Sequence, residues 1–148
     1  MIYFELVTLE GIKFSDNVYE LLLPTPDGQI GVFKNHAPIV TLATAGVIGV
    51  RHQENHADDM IEYFSTNGGV IEISDDTVRM LVDEAADSDE LDEAEIKKAL
   101  ERAKQLRAEA KDQVSLEKAQ QQIQQSSVQL KVAELKKKSR RPRSNNSR

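Results

Sequence analysis

His36, His52 and His56 are the only imidazoles in this 148-residue chain, which has no cysteine. Without thiols there are no disulfides, no thiolate nucleophile and no Cys-ligated zinc. His52 and His56 have the i, i+4 spacing with which a helix presents two metal ligands. Their segment, His52-Gln53-Glu54-Asn55-His56-Ala57-Asp58-Asp59, reads instead as a hairpin loop, and no Glu follows the first His as zincin chemistry requires. A solvated acidic loop is the better reading, with a metal-dependent hydrolase using His36, His52 and His56 as the enzyme-class rival. His36 lies between Asn35 and Ala37-Pro38, where an imidazole typically hydrogen-bonds across a turn. Catalysis there needs a nucleophile or a paired carboxylate, and the sequence nominates neither. Asp75-Asp76 and Asn67-Gly68-Gly69 read as turns rather than as an acid/base pair and a phosphate loop. No catalytic, cofactor or metal residue is assigned.

The elements that would position these residues fall into two modules of opposite charge. Residues 1–88 hold four basic side chains (Lys13, Lys34, Arg51, Arg79) against fifteen acidic ones, whereas residues 89–148 hold fifteen basic against ten acidic. The hydrophobic period changes at the same place, from 2 to about 3.5. In the first module β-rich runs at 2–8, 18–23, 30–33, 39–42, 47–51, 60–65, 70–73 and 77–82 alternate with turn residues. That spacing predicts an antiparallel β-sandwich over 1–86.

In the second module Ser88-Asp89 opens a helix with acidic residues in its first turn. Ile96, Ala99, Ala103, Leu106 and Ala110, and then Leu116, Ala119, Ile123, Ser126, Leu130 and Ala133, each step by three and four. Two such stripes around a polar break at 112–115 predict an antiparallel α-helical hairpin over 87–138. The break has neither Gly nor Pro, which leaves one continuous bent helix open. Small seam residues bury little, so helices that detach and dock elsewhere are an expectation here. Residues 139–148, rich in Arg and Ser, read as a disordered basic tail.

Aromatics are 5% of the chain, with no Trp, and the sandwich is strongly acidic, which together oppose nucleic-acid binding. No run approaches the roughly 18 apolar residues of a membrane span. The Met1-Ile2-Tyr3-Phe4-Glu5 start has no signal-peptide character, so a cytosolic protein is expected. From the residues alone the expectation is a small interaction protein.

Gly28-Gln29-Ile30-Gly31-Val32-Phe33-Lys34-Asn35-His36-Ala37-Pro38 resembles the Gly-x-Ile/Leu-Gly stretch followed by His-Ala-Pro in epsilon subunits of F-type ATP synthases. Phe4 to Ser15 resembles that family's opening strand and turn, and Asn67-Gly68-Gly69-Val70-Ile71-Glu72-Ile73 its Gly-Gly segment. Val78 to Asp83, Leu91-Asp92, Ala99 to Ala103 and Val128 to Leu135 follow in the family's order, so the resemblance covers 1–138.

The resemblance implies a non-catalytic central-stalk subunit on the cytoplasmic face of a bacterial membrane. Its sandwich would bind the gamma subunit and the polar loops of the c-ring, coupling ion flow to ATP synthesis. Gln29, Ile30 and His36 would form or support that interface. Lys131, Lys136, Lys137 and Lys138 would meet the beta and alpha subunits when the helices extend to block ATP hydrolysis. ATP-binding relatives carry Ile/Leu-Asp-x-x-Arg-Ala where this chain has Leu91-Asp92-Glu93-Ala94-Glu95-Ile96. A carboxylate cannot replace a guanidinium against phosphate, so weak or absent ATP binding is expected. The alternative is a free-standing β-sandwich adaptor with a coiled-coil dimerisation arm.

Overall fold

The computed structural model describes residues 1–139, so the tail expected at 139–148 lies, apart from Ser139, outside the described residues. Ten strands come first: β1 (Ile2–Thr8), β2 (Gly11–Val18), β3 (Glu20–Thr25), β4 (Gly28–Val32) and β5 (Ile39–Ala43), followed by β6 (Gly46–Arg51), β7 (Glu62–Thr66), β8 (Gly69–Ser74), β9 (Thr77–Val82) and β10 (Ala85–Asp87). Two helices follow, α1 (Glu93–Glu109) and α2 (Gln113–Lys138). The strands form two five-stranded sheets, in the orders β2-β1-β9-β8-β5 and β10-β7-β6-β3-β4. All pairs are antiparallel except β1 with β9, which run parallel.

Alternation builds the core. Ile2, Phe4 and Leu6 of β1, Leu21 and Leu23 of β3, Ile48 and Val50 of β6, and Val78 and Met80 of β9 are all essentially inaccessible to water. Full burial is worth about 1.5–3 kcal/mol for each large side chain, which holds the two sheets face to face.

Four details differ from the sequence expectation. The run at 18–23 divides at Tyr19, where the chain leaves the first sheet and enters the second. Asp16-Asn17, in the gap left between the runs 2–8 and 18–23, lies inside β2 opposite Phe4 and Tyr3. This is an edge strand sending few side chains inward, so its ladder with β1 sets its conformation and no alternation marks it. Met60 closes a 3-10 turn, and β7 starts two residues later. The short β10, which pairs with β7, has no periodic signal at all and carries the sheet to Asp87.

Two distinct helices replace the open alternative of one bent rod. Ala110 leaves helical geometry, and the Asp112 carboxylate caps α2 by accepting the Ser115 N–H at 2.7 Å. Asp92 caps α1 in the same way, accepting from Ala94 N–H at 2.9 Å. Ile96, Ala103, Ala119, Ser126 and Ala133 are buried as the stripe predicts, and Gln122 donates to the buried Ser126 hydroxyl at 3.1 Å. Leu106 is 58% exposed. A strict heptad drifts about 20° per repeat on a straight helix, which carries the end of the α1 stripe out of the seam.

Candidate functional site

Gln29 is exposed on β4, the edge strand of the second sheet, opposite Pro24. Ile30 points the other way, half-buried against the core and opposite Leu23. A two-residue turn, Pro26-Asp27, joins β3 to β4, and Gly28 takes the positive φ of +115° that the turn requires. The structure does not bring His36 to Gln29. His36 follows the far end of β4, in the connection to β5, where its Nδ1 lies 2.7 Å from the Ala37 carbonyl oxygen. That connection is anchored across the molecule, since Asn35 N–H donates to the Asp76 carboxylate at 2.6 Å. Asp75 and Asp76 have φ of 51° and 56°, the signature of the tight β8–β9 hairpin turn.

The other two histidines occupy the loop between β6 and β7. His52 Nε2 lies 2.8 Å from Glu62 Oε1, and the His56 carbonyl accepts from Arg51 at 2.5 Å. Arg51 also bridges Glu20 at 2.8 Å and Asp58 at 2.7 Å, and these hydrogen bonds raise its already high pKa. Among the described residues no group of three or more His, Asp or Glu is arranged to hold a metal ion.

The largest feature that sequence reasoning missed is the outer face of the first sheet. Its register aligns Leu42, Val70, Leu81, Val7 and Ile12 side by side across all five strands. Leu42 and Ile12 are more than 60% exposed, Leu81 is 41% exposed, and Val40 beside them is 72% exposed. One row away the face turns polar, with Glu72 beside Arg79 and Arg79 paired to Glu5 at 3.1 Å. A continuous apolar row with a charged flank is the composition of a protein-docking surface. The available signal was broken alternation, as Ile39-Val40 and Met80-Leu81-Val82 place apolar residues on both faces of a strand.

The helices pack against the second sheet, chiefly β7, and leave that row uncovered. Val132 of α2 is fully buried there. Polar contacts run along α2: Gln125 donates to Glu84 at 2.9 Å, Lys136 pairs with Asp89 at 2.8 Å and Lys137 with Glu93 at 2.5 Å. Ser139 donates to the Asp59 carbonyl at 2.7 Å. Lys137, and after it Lys97, hold Glu93 below the usual carboxylate range. Of the four lysines singled out in the sequence, Lys136 and Lys137 thus clamp the docked hairpin, while Lys131 and Lys138 are exposed.

A cavity of about 450 Å³ opens between β7, α2 and the connection to α1, lined by Tyr63, Leu91, Glu93, Ala133, Lys136 and Lys137. Both ammonium groups in it are already matched by carboxylates. Glu95 is exposed on α1, 3.8 Å from Lys98. No helix among the described residues is long and apolar enough to cross a membrane.

A ten-strand sandwich with one bare apolar face, and a clamped helical hairpin on its other sheet, defines an attachment module for a larger assembly. Known proteins identify the assembly. The family described as ATP synthase, Delta/Epsilon chain, beta-sandwich domain matches residues 1–88. The ATP synthase epsilon chain of Chloroflexus aggregans is 31% identical over 147 residues, spanning 95% of this chain and 97% of its own length. That of Xanthomonas campestris pv. campestris is 35% identical over 107 residues, 72% of this chain and 74% of the relative. Among solved structures, a chain of the Euglena gracilis mitochondrial ATP synthase (OSCP/F1/c-ring in rotational state 1) superposes with a TM-score of 0.73 at 20% identity, covering 85% of this chain and 77% of that one. The chain belongs to the ATP synthase delta/epsilon family, with epsilon chains as its matching relatives.

Proposed function

We propose that the chain is a non-catalytic rotor subunit, coupling ion flow through a c-ring to ATP synthesis from the cytoplasmic face of a bacterial membrane. The observation that carries this reading is the apolar row Leu42-Val70-Leu81-Val7-Ile12, left bare while the helices occupy the opposite sheet. The gamma subunit docks on that row. Gln29, at the exposed β3–β4 end, faces the polar loops of the c-ring, with Ile30 anchoring its strand to the core. His36 shapes the turn that leads into β5. An amide at Gln29 hydrogen-bonds to c-ring loops without the charge-assisted part that a carboxylate would add.

The sandwich ends with β10 at Asp87 rather than at 86, and the regulatory hairpin follows to 138. Extended, the hairpin presents Lys131, Lys136, Lys137 and Lys138 to acidic surface on the beta and alpha subunits, and hydrolysis is inhibited. The exposure of Lys131 and Lys138 and the pairing of Lys136 and Lys137 with surface carboxylates support a transfer of contacts rather than the breaking of a buried network.

Pull-down with the cognate gamma subunit, followed by ATPase assay of the reconstituted alpha/beta/gamma head, tests both halves. The wild-type chain is expected to bind gamma and suppress hydrolysis. Leu81→Asp is expected to bind at least tenfold more weakly when both chains are compared well below their melting temperatures, because the charge stands in the middle of the row. Wild-type affinity in Leu81→Asp would remove the row as the gamma site, and failure of the wild type to bind would remove the whole reading.

A further inference from the structure

A group of titratable side chains stands at the join between sandwich and hairpin. Glu62, on β7, has a side chain only 8% exposed, and His52 Nε2 meets one of its oxygens at 2.8 Å. Asp87 ends β10 opposite Phe64, which makes it a diagonal neighbour of Glu62 across the ladder, and its carboxyl lies close enough to that of Glu62 for each to act on the other. Two carboxyl groups in that relation need a proton between them, because both ionised would face each other in a partly dry site.

Asp87 is also where the hairpin begins. Its side chain accepts the Asp89 N–H at 2.9 Å, while its own N–H donates to Glu90 at 2.9 Å, a reciprocal cap on the 3-10 turn Ser88–Glu90 that leads to α1. We infer that the Asp87–Glu62 carboxyl pair is a proton-operated latch: protonated, it holds β10 and the following turn on β7, and ionised, it releases the start of the helical hairpin.

The surrounding charges do not replace this role. On the turn, Asp89 is paired with Lys136 of α2 and Glu90 with Lys13 of β2. Burial acts to raise Glu90, but Lys13 and the Asp87 N–H outweigh it and hold its pKa down. His52, from the β6–β7 loop, also faces the pair, with its Nε2 2.8 Å from Glu62. Burial first, and the Glu62 contact second, push the Asp87 carboxyl up from 3.8 to about 6. A latch that holds its proton where the free carboxyl has lost it is fully supported below about pH 4. Its support falls as pH rises and is gone above about pH 6. The latch works in the free chain and is independent of what the helices touch in an assembly.

The chain has no native cysteine, so Glu54→Cys and Glu101→Cys, both at exposed positions, accept a donor and an acceptor dye for solution energy transfer. Between pH 5 and 7.5 the detached fraction is expected to rise about tenfold, equivalent to one pKa unit after discounting for the partial exposure of Asp87. Asp87→Asn should flatten the response in the attached state, since its amide donates to Glu62 as the protonated acid does. His52→Gln should keep a midpoint near 6. A pH-independent wild type, or a wild-type response in Asp87→Asn, would overturn the latch. So would loss of the response in His52→Gln, which would give the switch to the imidazole. Carboxyl-carbon NMR of the unsubstituted chain reads the same point without a variant, with an Asp87 midpoint near 6 in support and one near 4 against.

Discussion

At the scale of single residues, the Asn67-Gly68-Gly69 turn shows how a backbone approach dictates residue type. A Cβ placed on Gly69 would lie 1.9 Å from the Leu81 carbonyl oxygen, an atom fixed in the β8–β9 ladder. Gly69→Ala should therefore cost about 3 kcal/mol or more, read as a lower urea midpoint, because strands rather than a flexible side chain must move. A prediction about nucleotide belongs to this scale too. Lys136 and Lys137 are committed to Asp89 and Glu93, and Glu95 adds a further negative charge near the start of α1. Calorimetry with millimolar ATP should show no saturation; clear saturation would refute this.

At the scale of elements, α2 is held to the sandwich with Val132 fully buried and with several polar contacts at the surface. Exposed ion pairs contribute little, so Val132 should dominate the docking. Val132→Asp should release the hairpin and leave the sandwich folded, with amides of β7 facing α2 gaining exchange and those of β1 and β9 staying protected. The cost of the smaller change Val132→Ala should be on the order of 2 kcal/mol. Loss of protection throughout the sandwich in Val132→Asp would instead make the two modules one cooperative unit.

At the scale of the whole molecule, the hairpin seam is satisfied within one chain. Ile96, Ala103, Ala119 and Ala133 are buried without a second copy. The chain should therefore run as a monomer at micromolar concentration in sedimentation; a dimer broken by substitutions in the seam would favour an adaptor with a coiled-coil arm.

Much of this was legible in the sequence, because β-sandwich strands and amphipathic helices write their period into the order of side chains. The two modules, the seam, and the turns at 26–27, 67–68 and 75–76 follow from local chemistry, and the family resemblance follows from motifs in order. Only tertiary structure decided what depends on partners distant in the chain. Strands β2 and β10 exist because a neighbour's ladder imposes them. The apolar row is assembled from five strands whose register no single segment encodes, and Glu62 meets Asp87 and His52 only once β6, β7 and β10 are paired. A local pattern fixes which way a side chain points, whereas what it meets is set by the closing of loops across the fold.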